Sequence, residues 1–433
     1  MTPPPSGAAV ARDLFALVER LYPLCRSLSG AGVRRTLELL RELIPLELHE
    51  VPSGTRLFDW TVPDEWNIRE AWIADADGRR IVDFGESNLH VMGYSTPVDG
   101  EYDLAALRKH LHVAEQHPGW IPYRTSYFQP DWGFCLSRRA SDALEPGRYA
   151  VRIDSSLAPG AMTYGELLLP GRRSEEFLVT THICHPSLCD DNLSGIAVAS
   201  FLARALGERP RRFSYRFLFV PALIGPLAWL ARNQARLSGV WGGVSLTCLG
   251  NRGVLTYKRS LQGDGVVDRG FQRVLERRGQ GEVSVPFGPG GADERQFNAP
   301  GFRIPFGALT RGRHGDLAEH HTSADDMTFI SGAQLADALD ACLGVISVLE
   351  EEPRFIVRAP PGEPQLSRRG IYRAVGGGGG PEQGEAVAAM LWILALSDGR
   401  WSLPEIADRS GLPLRGVQEM SEVLVRQELL ERL

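Results

Sequence analysis

Apolar positions recur at helical spacing near the start of the chain, at Leu14, Leu17, Val18 and Leu21 and again at Val33, Leu37, Leu40 and Leu43. Pro23 and Ser29-Gly30 interrupt that period, so residues 11–44 are expected to form two helices. The character changes near residue 55. Trp72-Ile73-Ala74, the turn signal Asp77-Gly78 and Arg80–Phe84 predict a β-hairpin, and Asn88–Tyr94 a further strand. Residues 55–135 are therefore expected to form an inserted β-rich domain. From about 148 the pattern alternates: strands at Tyr149–Ile153, Phe177–Thr181, Arg216–Val220 and Val244–Cys248, helices over 193–206 and 226–237, and a closing helix over 333–350. Buried apolar strands alternating with amphipathic helices predict an α/β sandwich with a largely parallel sheet, built from residues 8–54 and 136–358. In such sheets the chemistry gathers in loops beyond the carboxyl ends of the strands.

Gly376–Gly380, five consecutive glycines, predict a flexible linker over 376–384. Beyond it a helix over Ala386–Leu396, an Asp398-Gly399 turn, a helix over Leu403–Arg409, a turn at Gly411 and a helix over Leu414–Gln427 resemble a winged helix-turn-helix, residues 385–433. Its five arginines (Arg400, Arg409, Arg415, Arg426, Arg432) face eight carboxylates (Glu385, Asp398, Glu405, Asp408, Glu419, Glu422, Glu428, Glu431). That balance repels phosphates, so DNA is an unfavourable partner. Docking of a biosynthetic protein partner, or homo-oligomer formation, suits this unit better.

The composition bounds the rest. With 433 residues, 43% hydrophobic and a formal net charge of −6, the chain is expected to be globular, with two to three domains. No apolar run approaches the ~18–20 residues of a membrane span, and Met1-Thr2-Pro3-Pro4-Pro5 lacks the basic end and apolar stretch of a secretory signal; no membrane association and a cytoplasmic location are expected. The six cysteines are scattered without a CxxC pair and predict reduced thiols. Only Lys109 and Lys258 are lysines among 47 basic residues, which makes either one conspicuous.

Five of the ten histidines fall in two places, His182/His185 and His314/His320/His321, each beside carboxylates at a strand-to-loop junction. The first runs Thr181-His182-Ile183-Cys184-His185-Pro186 and then Cys189-Asp190-Asp191-Asn192. Singly, His182 reads as a hydrogen-bonded core residue and Asp191 as a helix cap. Two further clusters change the balance: Gly290-Gly291-Ala292-Asp293-Glu294-Arg295, and Glu319-His320-His321-Thr322-Ser323-Ala324-Asp325-Asp326. The ordered set His, Asp, Asp, His at loops after strand-like runs is a donor set for zinc or a similar divalent ion. Lys258 and Arg259, in Tyr257-Lys258-Arg259-Ser260, are candidates for binding a carboxylate or phosphate of a substrate. Trp60, Trp66, Trp120, Tyr123, Tyr127 and Trp132 suggest either an aromatic binding surface or the core of the small β unit. Walker, GxSxG and post-strand GxGxxG motifs are absent, which removes nucleotide-dependent and serine-hydrolase readings.

The segments THICHP, DDNLSG, GGADERQF and EHHTSADD resemble the zinc aminopeptidase fold, a three-layer α/β/α sandwich that also includes glutaminyl cyclases. The chain is more closely similar to a bacterial family of aminopeptidase-like proteins, often linked to polysaccharide or natural-product biosynthesis, with a β-rich insert and a winged-helix tail. FDWTVPDEWNIREAWI, NLHVMGYSTPV, IPYRTSYF, EPQLSRRGIY and LWILALSDG carry that similarity along nearly the whole length. The resemblance implies that Asp191 bridges, with one ion on His182 and Asp293 and another on His321 plus a glutamate. It also implies that the glutamate belongs to a Glu-Glu pair whose other member is the general base.

This sequence departs there, with Ala222-Leu223 in Phe219-Val220-Pro221-Ala222-Leu223, and it replaces the usual His-x-Asp by His182-Ile183-Cys184. His182, Asp191 and Asp293 still leave an open position, so one zinc ion is favoured and two are possible. His185, Glu294 and Glu319 are the remaining candidates for the missing ligand or base. The leading expectation is a metal-dependent hydrolase cleaving an amide or aminoacyl bond of a small-molecule or short peptide-like or sugar-linked substrate. The alternatives are a catalytically inactive binding scaffold and a metal-assisted acyl transferase or cyclase.

Overall fold

The computed structural model describes residues 7–279, 284–312, 316–351, 354–358, 362, 364–371 and 381–433. His314 and Gly376–Gly380 lie outside the described residues. The remainder of the expected linker, from Pro381 on, already belongs to a helix, Pro381–Leu396. The chain divides into two compact units, residues 1–344 and 345–433.

Eight strands of the first unit form one sheet: β1 (Glu47–Pro52), β2 (Ala161–Leu169), β3 (Glu176–His182), β4 (Ser214–Val220), β5 (Val240–Leu246), β6 (Leu255–Lys258), β7 (Ser284–Val285) and β8 (Phe306–Arg311), in the order β1-β2-β4-β3-β5-β8-β6-β7. The centre is parallel: β3 lies between β4 and β5, and β5 is followed by β8. Antiparallel pairings of β1 with β2, β2 with β4 and β6 with β8 finish it. Strands β3 and β4 are buried along almost their whole length, with Phe177, Leu178, Val179, Phe217, Leu218 and Phe219 in the core, because helices cover a central parallel sheet. The parallel strands deliver His182, Val220, Leu246 and Arg311 to one edge, and the loops that follow them share it.

Two expectations from the pattern change. Arg148–Ala158, expected to open the α/β sheet, instead joins a second, antiparallel sheet in the order Arg80–Asp83, Glu65–Ala74, Arg148–Ala158, Val98–Asp103. Its apolar positions Tyr149, Val151 and Ile153 meet Ala71, Ile73, Val82 and Phe134 of the insert, and alternation alone does not reveal which sheet a strand joins. Asn88–Tyr94 is not a strand. Ser87 Oγ accepts from Leu89 N at 3.2 Å and starts a 3₁₀ turn over Asn88–His90, leaving isolated bridges at Val91 and Gly93. Gly332–Glu350 has the length and hydropathy of a membrane-crossing helix, contrary to the reading of the sequence. Its Leu335, Ala338, Leu339, Ala341 and Cys342 are nevertheless buried, as in a core helix.

In the second unit, strands Arg354–Val357, Asp398–Ser402 and Leu430–Arg432 form a three-stranded sheet with Arg354–Val357 in the middle, beside helices Pro381–Leu396, Leu403–Ser410 and Leu414–Arg426. Ser402 opens the second helix with a capping box: its Oγ accepts from Glu405 N, and the Glu405 carboxylate accepts from Ser402 N at 2.8 Å. Gly411 ends that helix at φ 68, the left-handed conformation glycine takes at least cost. Replacing Ser402 by Ala is expected to cost ~1 kcal/mol, read as roughly fivefold faster hydrogen exchange across Leu403–Ser410.

Candidate metal centre

Strand β3 ends at His182, and the chain returns through the irregular turn Cys189–Ser194 to place Asp191 opposite it. Neighbouring groups fix that turn. Asp325 accepts from the backbone amides of Asp190 (2.6 Å) and Asp191 (2.9 Å). The Asp190 carboxylate accepts from Gly250 N, Asn251 N and Asn251 Nδ2. Asn192 Nδ2 donates to Thr181 Oγ1 and to His182 O, and its Oδ1 accepts from Cys248 N. The flanking side chains are thus occupied with backbone, and Asp191 alone points its carboxylate at the imidazoles.

Four imidazoles surround it. His182 Nε2 is 2.7 Å from Asp191 Oδ1, and His321 Nε2 is 2.9 Å from Oδ2. His320 Nδ1 and His185 Nε2 lie 3.6 and 3.9 Å from Oδ2. Two donor triads whose ligand atoms all fall within 4.8 Å of one another share this carboxylate: His182, His185, Asp191 and Asp191, His320, His321. The rings of His320 and His321 stack at 4.0 Å between centroids. Tyr123 of the insert packs its ring 5.0 Å from His185 and 5.2 Å from His321, and its N–H donates to His321 O at 2.7 Å.

Burial works against the charge of Asp191, but the surrounding His185, His182 and His321 outweigh it and hold the carboxyl well below the usual range. Burial disfavours charged His182 too, yet Asp191, Asp293 and Glu294 raise its pKa. His185 goes the other way: burial, with three neighbouring imidazoles, pushes it well below the ordinary value and Asp191 offsets only part. Asp293 is fully buried, and neither oxygen accepts a hydrogen bond of normal geometry. Burial lifts its pKa to about 7, with the charge of His182 and the Thr180 hydroxyl opposing and Glu294 adding. His182 Nδ1 likewise lacks a hydrogen-bond partner among the described residues, as expected where Cys184 stands in place of an orienting carboxylate. The buried Asp191 and Asp293 carboxylates, beside clustered imidazoles, form a nitrogen and oxygen donor set that fits a divalent cation.

Among the sequence candidates, His182, Asp191, His185 and His321 come together. Asp293 influences His182 electrostatically but belongs to neither triad. Glu294, buried, forms an ion pair with Lys258, whose Nζ also donates to Gly290 O (2.5 Å) and Gly288 O (3.3 Å). Both residues line a cavity of about 520 Å³ bordered by Thr247, Thr256 and Thr310, and Arg259 is not among its lining residues. Glu319 contributes its backbone carbonyl to Thr322 N and Oγ1, and its carboxylate joins no triad. Ala222 and Leu223 follow β4 without an ionisable group. Two members escaped the reading of the sequence. His320 was visible as part of the histidine cluster, whereas nothing local distinguishes Tyr123 from the other aromatic residues of the insert.

A family model described as "Domain of unknown function (DUF4910)" matches residues 15–352, and one described as winged helix-turn-helix matches residues 355–432. A protein of Clostridium acetobutylicum named "Putative polysaccharide biosynthesis protein with aminopeptidase-like domain" is 44% identical over 419 residues, 97% of this chain and 96% of its own length. The crystal structure of a "putative peptidase" from the same species is 41% identical, with TM-score 0.82 over 99% of this chain and 97% of that one. A zinc aminopeptidase from Bacillus subtilis shares the fold at 15% identity, TM-score 0.59, over 80% of this chain and 96% of its own. The zinc-aminopeptidase-like α/β fold with a C-terminal winged helix is therefore established, and the chain belongs to the DUF4910 family.

Proposed function

We propose that this protein is a zinc-dependent hydrolase that cleaves an amide or aminoacyl bond of a small peptide-like or sugar-linked metabolite. The observation that carries the reading is the Asp191 carboxylate within 4 Å of four imidazoles, with the buried Asp293 carboxylate acting on His182. His182, Asp191 and the partnerless carboxylate of Asp293 are suited to one ion, and Asp191, His320 and His321 to a second. In this reading His320 takes the part of the glutamate that Leu223 replaces. Zinc held there supplies Lewis acidity towards the scissile carbonyl and towards water.

The protein's own groups supply the rest. His185, neutral because of its burial, accepts a proton at Nε2 and returns it to the leaving amine, the role that Ala222 vacates. Glu294 is committed to Lys258, and the Glu319 carboxylate is in neither triad, so both are weaker choices. Tyr123, over His185 and His321, excludes water from that side. The cavity beside Glu294 and Lys258 accommodates the acyl portion of the substrate. The homologue's name supports a biosynthetic setting rather than general protein turnover. The acidic winged-helix unit suits a protein partner better than DNA.

Aminoacyl amides and amides of amino sugars, incubated with the zinc-loaded protein, are expected to release free acid and amine. His185→Gln should lower kcat by about 10²–10⁴-fold with zinc content unchanged. Zinc loss in that variant would reassign His185 as a ligand. A scaffold reading draws on Ala222-Leu223, where no residue ionises. Full zinc occupancy with no turnover across both amide classes would favour it.

A further inference from the structure

The insert contains a second cavity, of about 280 Å³, whose walls include Asp64, Tyr94, Ser126, Tyr127, Phe128 and Gln129. Its rim is aromatic and open. Phe128 is 53% exposed and meets Trp60 edge-to-face at 5.4 Å, and Tyr94 and Tyr127 pack the same way at 5.4 Å behind it. Phe58, 43% exposed and in edge contact with Phe302, sits next to Trp60 in the same hairpin at φ 60, a backbone conformation bulky side chains rarely adopt. Phe128 thus presents a half-exposed ring on the cavity wall, an aromatic surface open to a ligand.

The polar groups narrow the ligand's chemistry. Asp64 and Gln129 border the cavity with their side chains exposed to solvent and, among the described residues, without a protein partner. Aromatic faces attract polarised C–H groups, while a carboxylate and a carboxamide receive and give hydrogen bonds at the edge of the same ligand. A wholly apolar ligand leaves Asp64 and Gln129 unused, and an anion is repelled by Asp64. A pyranose ring, with C–H faces and a rim of hydroxyls, satisfies both sets.

We propose that this cleft binds a hexopyranose ring of the substrate. Its position fits the proposed hydrolase. Tyr127 Oη lies 2.5 Å from Tyr123 Oη, and the Tyr123 ring rests on His185 and His321, so the cleft ends one tyrosine pair away from the imidazoles. This placement rests on the metal-centre reading, whereas binding of the sugar does not.

Saturation-transfer NMR on the full chain tests the cleft with N-acetylglucosamine, methyl glucoside and leucinamide, the last carrying no sugar. Transfer to the hexose C–H protons is expected. Affinity should fall about tenfold in Phe128→Ala and in Asp64→Ala, both surface changes, and stay unchanged in Asp191→Asn. No transfer to either hexose, equal affinity in Phe128→Ala, or transfer to leucinamide alone would overturn the assignment. If the hexoses bind as expected while the protein takes up no zinc, the hydrolase reading fails and the sugar site stands. Zinc-dependent hydrolysis without hexose binding would remove the sugar site and leave the hydrolase reading in place.

Discussion

Asp191→Asn is expected to remain folded, to lose amide hydrolysis by at least about 10³-fold, and to lose thermal stabilisation by added zinc. The carboxylate lies within 4 Å of all four imidazoles, and both triads include it. Asparagine preserves the volume, and the turn stays anchored by Asp325, Asp190 and Asn192, which bond to backbone independently of the 191 side chain. Differential scanning fluorimetry with and without zinc separates the two effects. A variant with unchanged zinc-dependent stabilisation would remove Asp191 from the site.

Asp293→Asn is expected to stabilise the metal-free protein while weakening zinc binding. Burial raises the folded pKa of Asp293 from 3.8 to about 7, so between those values the folded state holds a proton that the unfolded chain has released. The native state binds more protons there, and its stability falls as pH rises through this window. Asparagine has no charge to bury. Its advantage in metal-free protein should be small near pH 4 and grow to a few kcal/mol by pH 8. Thermal denaturation of chelator-treated protein at the two pH values measures it. A variant less stable than the parent at pH 8 would mean that the carboxylate has a protein partner. Such a gain, paired with lost zinc affinity, is the mark of a side chain retained for binding rather than folding.

Much of the fold and the site is legible in the chain. His182 and Asp191 stand out because an imidazole closes an apolar strand and a carboxylate opens a turn nine residues on, and His321 follows in an equally acidic segment. Alternating apolar segments reveal the parallel centre of the sheet, and Ser402, Glu405 and Gly411 mark the second helix of the winged unit. What stays hidden depends on long-range contact. Arg148–Ala158 alternates as a strand in either sheet would, and only pairing with Glu65–Ala74 assigns it. Asp325 reads as one more acid in an acidic run, yet it clamps the Asp191 turn through two backbone amides. Tyr123 reaches the imidazoles because the insert folds back, through a bridge from Pro122 to Thr322, which sequence spacing does not encode.

In the proposed hydrolase the insert and the candidate metal centre bear jointly on specificity. The fold is shared with a zinc aminopeptidase at 15% identity, and in this chain Ala222-Leu223 follows β4 without an ionisable side chain. His185 and His320 add imidazoles around Asp191, and the Tyr123 ring packs against His185 and His321. On the proposed reading, the insert sets access to the imidazoles through Tyr123.

The most direct test of the central claim is zinc per chain, by elemental analysis of protein purified without chelator and again after reconstitution. One ion on His182, Asp191 and Asp293 and a second on Asp191, His320 and His321 predict about two zinc ions per chain, falling to one in His321→Ala and to nearly none in Asp191→Asn. No zinc after reconstitution, or the same zinc content in Asp191→Asn as in the parent, would contradict a metal centre built on Asp191.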